Sequence, residues 1–181
     1  MNILAISGSL RPTSTNTALL RALADQAPDN VAVTLYNDLD ELPHFSPERD
    51  HANTSEPVHR LRTLIRHADA VIICTPEYIH GIPGVLKNML DWLASSGEFV
   101  GKSVGVISAS PSDTGGSRAH ASLSYTLSVL TADLPKGASL IVPFVRRRLD
   151  ADGRVTDPVL VQELRNVLDA LTNASKRYVS E

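Results

Sequence analysis

The feature that most constrains this chain is a repeated change of hydrophobic period. Short apolar runs at Ile3–Ile6, Val31–Tyr36, Ala70–Thr75, Ser103–Ser108 and Leu140–Val142 alternate with longer segments whose apolar residues recur at helical spacing. A run such as Ala70–Thr75, continuous rather than alternating, suits a strand covered on both faces. The spacing predicts helices over about 16–26 (Ala18, Leu19, Ala22, Leu23), around Val58, Leu61, Leu64 and Ile65, and from near Pro83 through Leu86, Met89, Leu90 and Leu93. A fourth spans 119–130. A fifth opens with Asp157 as cap and Pro158 in its first turn.

Strand and helix in strict turn argue for a parallel sheet with helices on both faces. The expected class is α/β: a flavodoxin-like three-layer sandwich, its five-stranded parallel sheet in the order 2-1-3-4-5. Five strands fit that order better than the six-stranded dinucleotide fold. The length of 181 residues suits one domain over 1–181. A net charge of −3, with Arg146-Arg147-Arg148 as the one notable basic run, leaves no footprint for nucleic acid. That triplet reads as a solvated loop or a subunit contact. The N-terminus lacks a signal-peptide pattern, and no apolar run approaches the roughly 20 residues of a membrane span. The single cysteine, Cys74, excludes an internal disulfide and fits a reducing compartment. The expectation is a cytoplasmic protein with no membrane partner. The polar stretch 37–56, with Pro43 and Pro47, reads as a functional or interface loop.

In open parallel sheets, ligands bind beyond the carboxyl ends of the strands where the order reverses. For 2-1-3-4-5 this brings together the loops after Ser7, Thr75 and Ser108. The first, Gly8–Asn16, offers hydroxyls from Ser9, Thr13, Ser14 and Thr15, the fork of Arg11, and Asn16 at a helix start. This set suits a phosphate monoester; a capped turn with a surface arginine explains it equally well. It is neither a Walker A loop nor a G-x-G-x-x-G fingerprint. The second, Pro76–Gly84, carries two prolines and two glycines. It can lay its backbone against a planar ring, with Tyr78 stacking or donating, or it is a plain strand-to-helix connection. The third, Ser110–Arg118, has a Gly115-Gly116 pair that lets backbone approach a ligand.

Gly8-Ser9-Leu10-Arg11-x-x-Ser14-x-Asn16, then Pro76-Glu77-Tyr78-x-x-Gly81-Ile82-Pro83-Gly84-x-Leu86-Lys87-Asn88-x-x-Asp91-Trp92, resembles the NADPH-dependent FMN reductase family of quinone, azo-dye and chromate reductases. Gly115-Gly116-Ser117-Arg118 is similar to that family's third loop. The resemblance implies that Ser9, Arg11, Ser14 and Asn16 hold the FMN phosphate, with Thr15 and Thr17 as helpers. It implies that Pro76, Glu77, Tyr78, Ile79, His80 and Gly81 border the ring, with Ser110, Thr114 and Gly115 in the third loop. It implies an NAD(P)H oxidoreductase passing hydride from NADPH or NADH to FMN, and then to a small-molecule electron acceptor. That acceptor would be a quinone, azo compound, free flavin or metal oxyanion. The alternatives are a non-enzymatic flavin carrier or a flavin-independent regulatory module. The resemblance also implies a homodimer or homotetramer, with the third helix at an interface. One departure stands out: the family often has Asn where this chain has Ile79, and a different residue at His80.

Other residues read as structural. Cys74 is expected to be a buried thiol rather than a nucleophile, and no histidine shows metal-ligand spacing. Glu77 is expected to position its loop or meet a partner subunit. Met89 and Trp92 read as core or interface, with Lys87, Asn88 and Asp91 on the polar side of the third helix.

Overall fold

A computed structural model of the protein describes residues 1–51 and 54–178. Five strands, β1 (Asn2–Ser7), β2 (Ala32–Tyr36), β3 (Ala70–Thr75), β4 (Ser103–Ala109) and β5 (Ser139–Val142), form one parallel sheet. Their order is β2-β1-β3-β4-β5, as expected. The helices are α1 (Thr15–Ala24), α2 (Glu56–His67), α3 (Gly84–Trp92), α4 (Ser117–Val129) and α5 (Pro158–Tyr178).

The unbroken apolar runs are explained by the two cores. Successive strand residues point to opposite faces of a sheet. Leu4, Ile6, Val71, Ile73, Val104 and Val106 join a cluster with α2, α3 and α4. Ile3, Ala5, Ile72, Cys74 and Ile107 join a second cluster with α1 and α5. Both sets must be apolar because neither face meets water. Among the described residues, no helix is long and apolar enough to cross a membrane.

Several local expectations shift. Helix α1 begins at Thr15 rather than Asn16, because Ser14 is its cap and accepts the Thr17 amide at 3.4 Å. Pro83 precedes α3 as its cap instead of opening it. Asp157 caps α5 as expected, its Oδ1 accepting the Val159 amide at 2.9 Å.

The stretch 37–56 is more structured than its composition suggested, with 3-10 turns at Leu39–Glu41 and Pro47–Arg49; positions 52 and 53 lie outside the described residues. Leu39 and Leu42 are buried in the first core. The Pro43 carbonyl accepts from Trp92 Nε1 (2.7 Å) and Asn88 Nδ2 (3.0 Å), and Asn88 Oδ1 accepts the Phe45 amide (2.8 Å). So Asn88 does not share the polar outer side of α3 with Lys87. It clasps this stretch onto the helix, and Trp92 is core.

The arginine triplet is likewise not a simple solvated loop. Arg148 pairs with Asp157 (2.5 Å) and Glu163 (3.1 Å), and Arg147 lies over the Phe144 ring at 4.9 Å.

Candidate functional site

Parallel register decides which loops meet. Ser7 lies opposite Cys74, and Thr75 opposite Ser108, so the loops after β1, β3 and β4 leave the sheet at one edge. Gly8 lets the first two close up. Its amide donates to Cys74 O at 2.8 Å, and a Cβ there would sit 2.9 Å from Leu86 Cδ2 and 3.3 Å from Thr75 Oγ1. A larger residue would press on Leu86 and Thr75, so glycine keeps the start of the first loop against the end of β3.

The first loop collects hydrogen-bond donors. Asn16 is buried, and Cys74 Sγ donates to its Oδ1 at 3.3 Å. This turns Nδ2 of Asn16 free of protein partners among the described residues. Burial pushes the Cys74 thiol far above its ordinary pKa, so it stays protonated and able to donate. Thr17 Oγ1 donates to Ser7 Oγ at 2.8 Å, which locks the first turn of α1 onto the end of β1. Ser9 Oγ accepts the Arg11 amide at 3.4 Å, curling the loop. The backbone amides of Thr15 and Asn16, in the first turn of α1, meet no acceptor among the described residues. The Arg11 side chain is exposed and also without a partner among them.

The second loop is a tight turn. Tyr78 and Gly81 exchange backbone hydrogen bonds of 3.0 and 3.1 Å around Ile79 and His80, whose φ values are 49° and 60°. Positive φ at both central positions is the pattern of a type I′ turn. This makes Ile79 the strained choice at its position. Asn adopts left-handed backbone readily and Ile does not, so the residue type at 79 concerns the turn's conformation. Ile79 is 99% exposed.

Glu77 fastens this turn to α4. Its Oε2 accepts the amides of Arg118 (3.0 Å) and Ala119 (3.1 Å), and its Oε1 lies 3.2 Å from His80 Nδ1. Burial pushes the Glu77 carboxyl up, but the Ala119, His80 and Arg118 donors outweigh it and hold it below the usual carboxylate range. A carboxylate kept ionised at a helix N-terminus is a positioning group.

The third loop carries a hydroxyl chain, Ser110 Oγ to Ser112 Oγ to Thr114 Oγ1, with 2.9 Å links. Ser112 was not singled out in the sequence; its spacing of two from both Ser110 and Thr114 is the signal that was there. Gly115 is buried at φ 60°, where a Cβ would lie 2.6 Å from Ile141 Cγ2. Its glycine answers close packing on the exit of β5. Among the described residues no cluster of His, Cys, Asp and Glu could hold a metal ion.

All fifteen site residues read from the sequence thus lie on these three loops or the first turn of α1. A parallel sheet of this order, with an amide- and hydroxyl-lined cradle beside a fixed turn, defines a flavodoxin-like α/β protein. The sequence matches the family of NADPH-dependent FMN reductases over residues 1–145. The chain belongs to that family and is an oxidoreductase. It is 32% identical over 173 residues to an NAD(P)H-dependent FMN reductase of Pseudomonas aeruginosa, covering 94% of this chain and 93% of that one. It is 31% identical to a 2-hydroxy-1,4-benzoquinone reductase of a Burkholderia species, covering 93% of each. Among solved structures, a flavoenzyme NAD(P)H:(acceptor) oxidoreductase of Paracoccus denitrificans superposes with a TM-score of 0.86, at 30% identity and 97% coverage of both chains.

Proposed function

We propose that the chain, as a single domain over 1–181, holds FMN by its phosphate on Ser9, Arg11, Ser14, Thr15, Asn16 and Thr17. The ring edge would be bordered by Pro76–Gly81 and by Ser110, Thr114 and Gly115. The observation that carries this reading is the donor set of the first loop. Two helix-end amides, the Asn16 Nδ2 and the Arg11 fork all lack protein acceptors among the described residues. That is the chemistry a phosphate needs.

Bound FMN supplies hydride and electron transfer between NAD(P)H and an acceptor, and the protein supplies position and electrostatics. Arg11 and the Thr15 and Asn16 amides bind the anion. Glu77 anchors the 78–81 turn by its bonds to α4, so the backbone facing the ring is fixed before ligands arrive. No side chain of the chain is assigned a proton to transfer. Quinones or similar small molecules are the acceptors this reading supports.

Cytoplasmic location fits the lone thiol and the supply of NAD(P)H. Association as a homodimer or homotetramer would use exposed apolar residues such as Tyr125 and Val129, one turn apart on α4. Sedimentation of Tyr125→Glu against the parent protein tests that.

The test of the cofactor assignment is direct. Purified protein should show flavin absorption after FMN addition, bleach anaerobically with NADPH or NADH, and recolour with a quinone. Arg11→Ala should weaken FMN binding about tenfold or more. Protein that binds no FMN, or an unchanged dissociation constant in Arg11→Ala, defeats the assignment. Steady NAD(P)H oxidation without a separate reductase distinguishes an enzyme from a carrier.

A further inference from the structure

A groove of about 670 Å³ runs along the flank of α1, on the other side of the first loop from the edge described above. Its volume lies within the range of small-molecule sites, roughly 300–1,000 Å³. One wall is Thr13–Thr15 and then Ala18 and Ala22. The opposite wall is the segment after β5, where Leu149 and Val155 pair in an antiparallel bridge. The buried face of α1, with Asn16, Leu19, Leu20 and Leu23, points elsewhere.

Two arginines line this groove with no partner among the described residues, Arg21 and Arg146. The contrast within the triplet is informative. Arg147 is used on Phe144 and Arg148 on Asp157 and Glu163, while Arg146 faces the groove unpaired. Its place is fixed by the third loop, because Phe144 N donates to Ser112 O (3.0 Å) and Val145 N to Ser110 O (3.1 Å). The groove therefore lies between the first loop and a segment held by the third loop, and leads away down α1. Its acidic groups are partly engaged: Asp152 with Arg154 at 3.7 Å, and Asp150 Oδ1 with the Arg154 amide at 2.8 Å. Asp25 lies farther down α1.

We propose that this groove takes the adenosine-diphosphate half of NAD(P)H, with Arg146 and Arg21 donating to its phosphates. The inference rests on the oxidoreductase reading above. A dinucleotide whose nicotinamide end reaches the three-loop edge must lay its other half along the rim of the sheet. Beyond the first loop, the groove offers a cavity with two free guanidinium forks, which suit phosphate oxygens. Binding energy from this remote half would hold the nicotinamide end in place.

The test uses the FMN-loaded protein, the exposed-surface variants R146E and R21E, and two kinds of readout. In calorimetry, ADP should bind the parent protein and lose about tenfold or more in affinity in R146E. In kinetics, the KM for NADH and NADPH should rise about tenfold in the variants. The KM for reduced nicotinamide mononucleotide, which has no adenosine half, should move less than about twofold. Equal shifts for the mononucleotide and the dinucleotide overturn the proposal, as does ADP that binds parent and variants alike or binds neither. Should the parent oxidise neither donor, the oxidoreductase reading falls, and the ADP titration alone still decides the groove.

Discussion

Cys74 donates its thiol hydrogen to Asn16 Oδ1 at 3.3 Å, across the junction of β3 and α1. The bond fixes which end of the Asn16 amide faces the first loop. Cys74→Ala removes the donor and frees the amide to rotate. We expect FMN affinity to fall several-fold in Cys74→Ala, while Cys74→Ser, which keeps a donor, stays within about twofold, as titrations followed by flavin fluorescence would show. Equal affinity in all three proteins would mean that the thiol has no orienting role. Because burial pushes the thiol's pKa up, it should also resist a thiol reagent in the native state and react once the chain is unfolded.

Glu77 joins the second loop to α4 through two backbone amides, which gives it a measurable pH signature. Its carboxyl sits below the ordinary carboxylate range, so the folded state releases this proton more readily than the unfolded state does. The stabilisation is fully present above the unfolded value of about 4.3 and is lost as pH falls through the lower folded value. Glu77→Gln should therefore cost about 1 kcal/mol near neutrality and progressively less below about pH 4, by urea unfolding. Amide exchange at Tyr78 and Gly81 should speed up in the variant, since the turn loses its anchor. The His80 contact adds little, because the imidazole is largely exposed.

These two relationships also mark what the sequence made legible. The order of elements, the sheet order and the three converging loops all follow from periodicity and the switch-point rule, and the strands came out nearly residue for residue. The side-chain pairings did not. Cys74 reads only as an apolar-run thiol until the register sets β3 beside the start of α1. Asn88 reads as polar surface because helical spacing says nothing of a distant loop folding back with Pro43 to meet it. Arg148 reads as one of three equivalent arginines; its ion pairs depend on where α5 begins. Propensity reports a residue's own element, whereas these contacts span 9 to 58 positions.

Ile79 holds a left-handed backbone, φ 49°, with a β-branched side chain that is almost wholly exposed. That conformation costs a non-glycine residue about 1–2 kcal/mol, and no packing offsets it. Ile79→Asn and Ile79→Gly should each raise stability by roughly 1 kcal/mol, read as a higher urea midpoint at unchanged slope. A lower midpoint in both variants would show that the isoleucine is stabilised by contacts outside the chain. A rise in stability paired with a changed KM for quinone would show that the strained residue serves acceptor selection, since strain of this kind persists at functional sites.

His120 sits one turn into α4, nearly buried, with Nε2 2.8 Å from Ser139 Oγ. Its Nδ1 is buried and has no partner among the described residues. Burial holds the imidazole below its ordinary pKa, and the positive end of α4 also disfavours a cation there. The folded protein thus binds fewer protons at this site than the unfolded chain. Stability is complete above the unfolded value of about 6.5 and declines as pH falls below it. We expect unfolding free energy to drop as pH falls below about 6.5, ahead of the loss that protonation of the Glu77 carboxylate brings at lower pH. His120→Gln keeps a donor for Ser139 but cannot take a proton, so this leg of the profile should flatten while the step below about pH 4 remains. A profile unchanged by His120→Gln would assign the upper leg to another group.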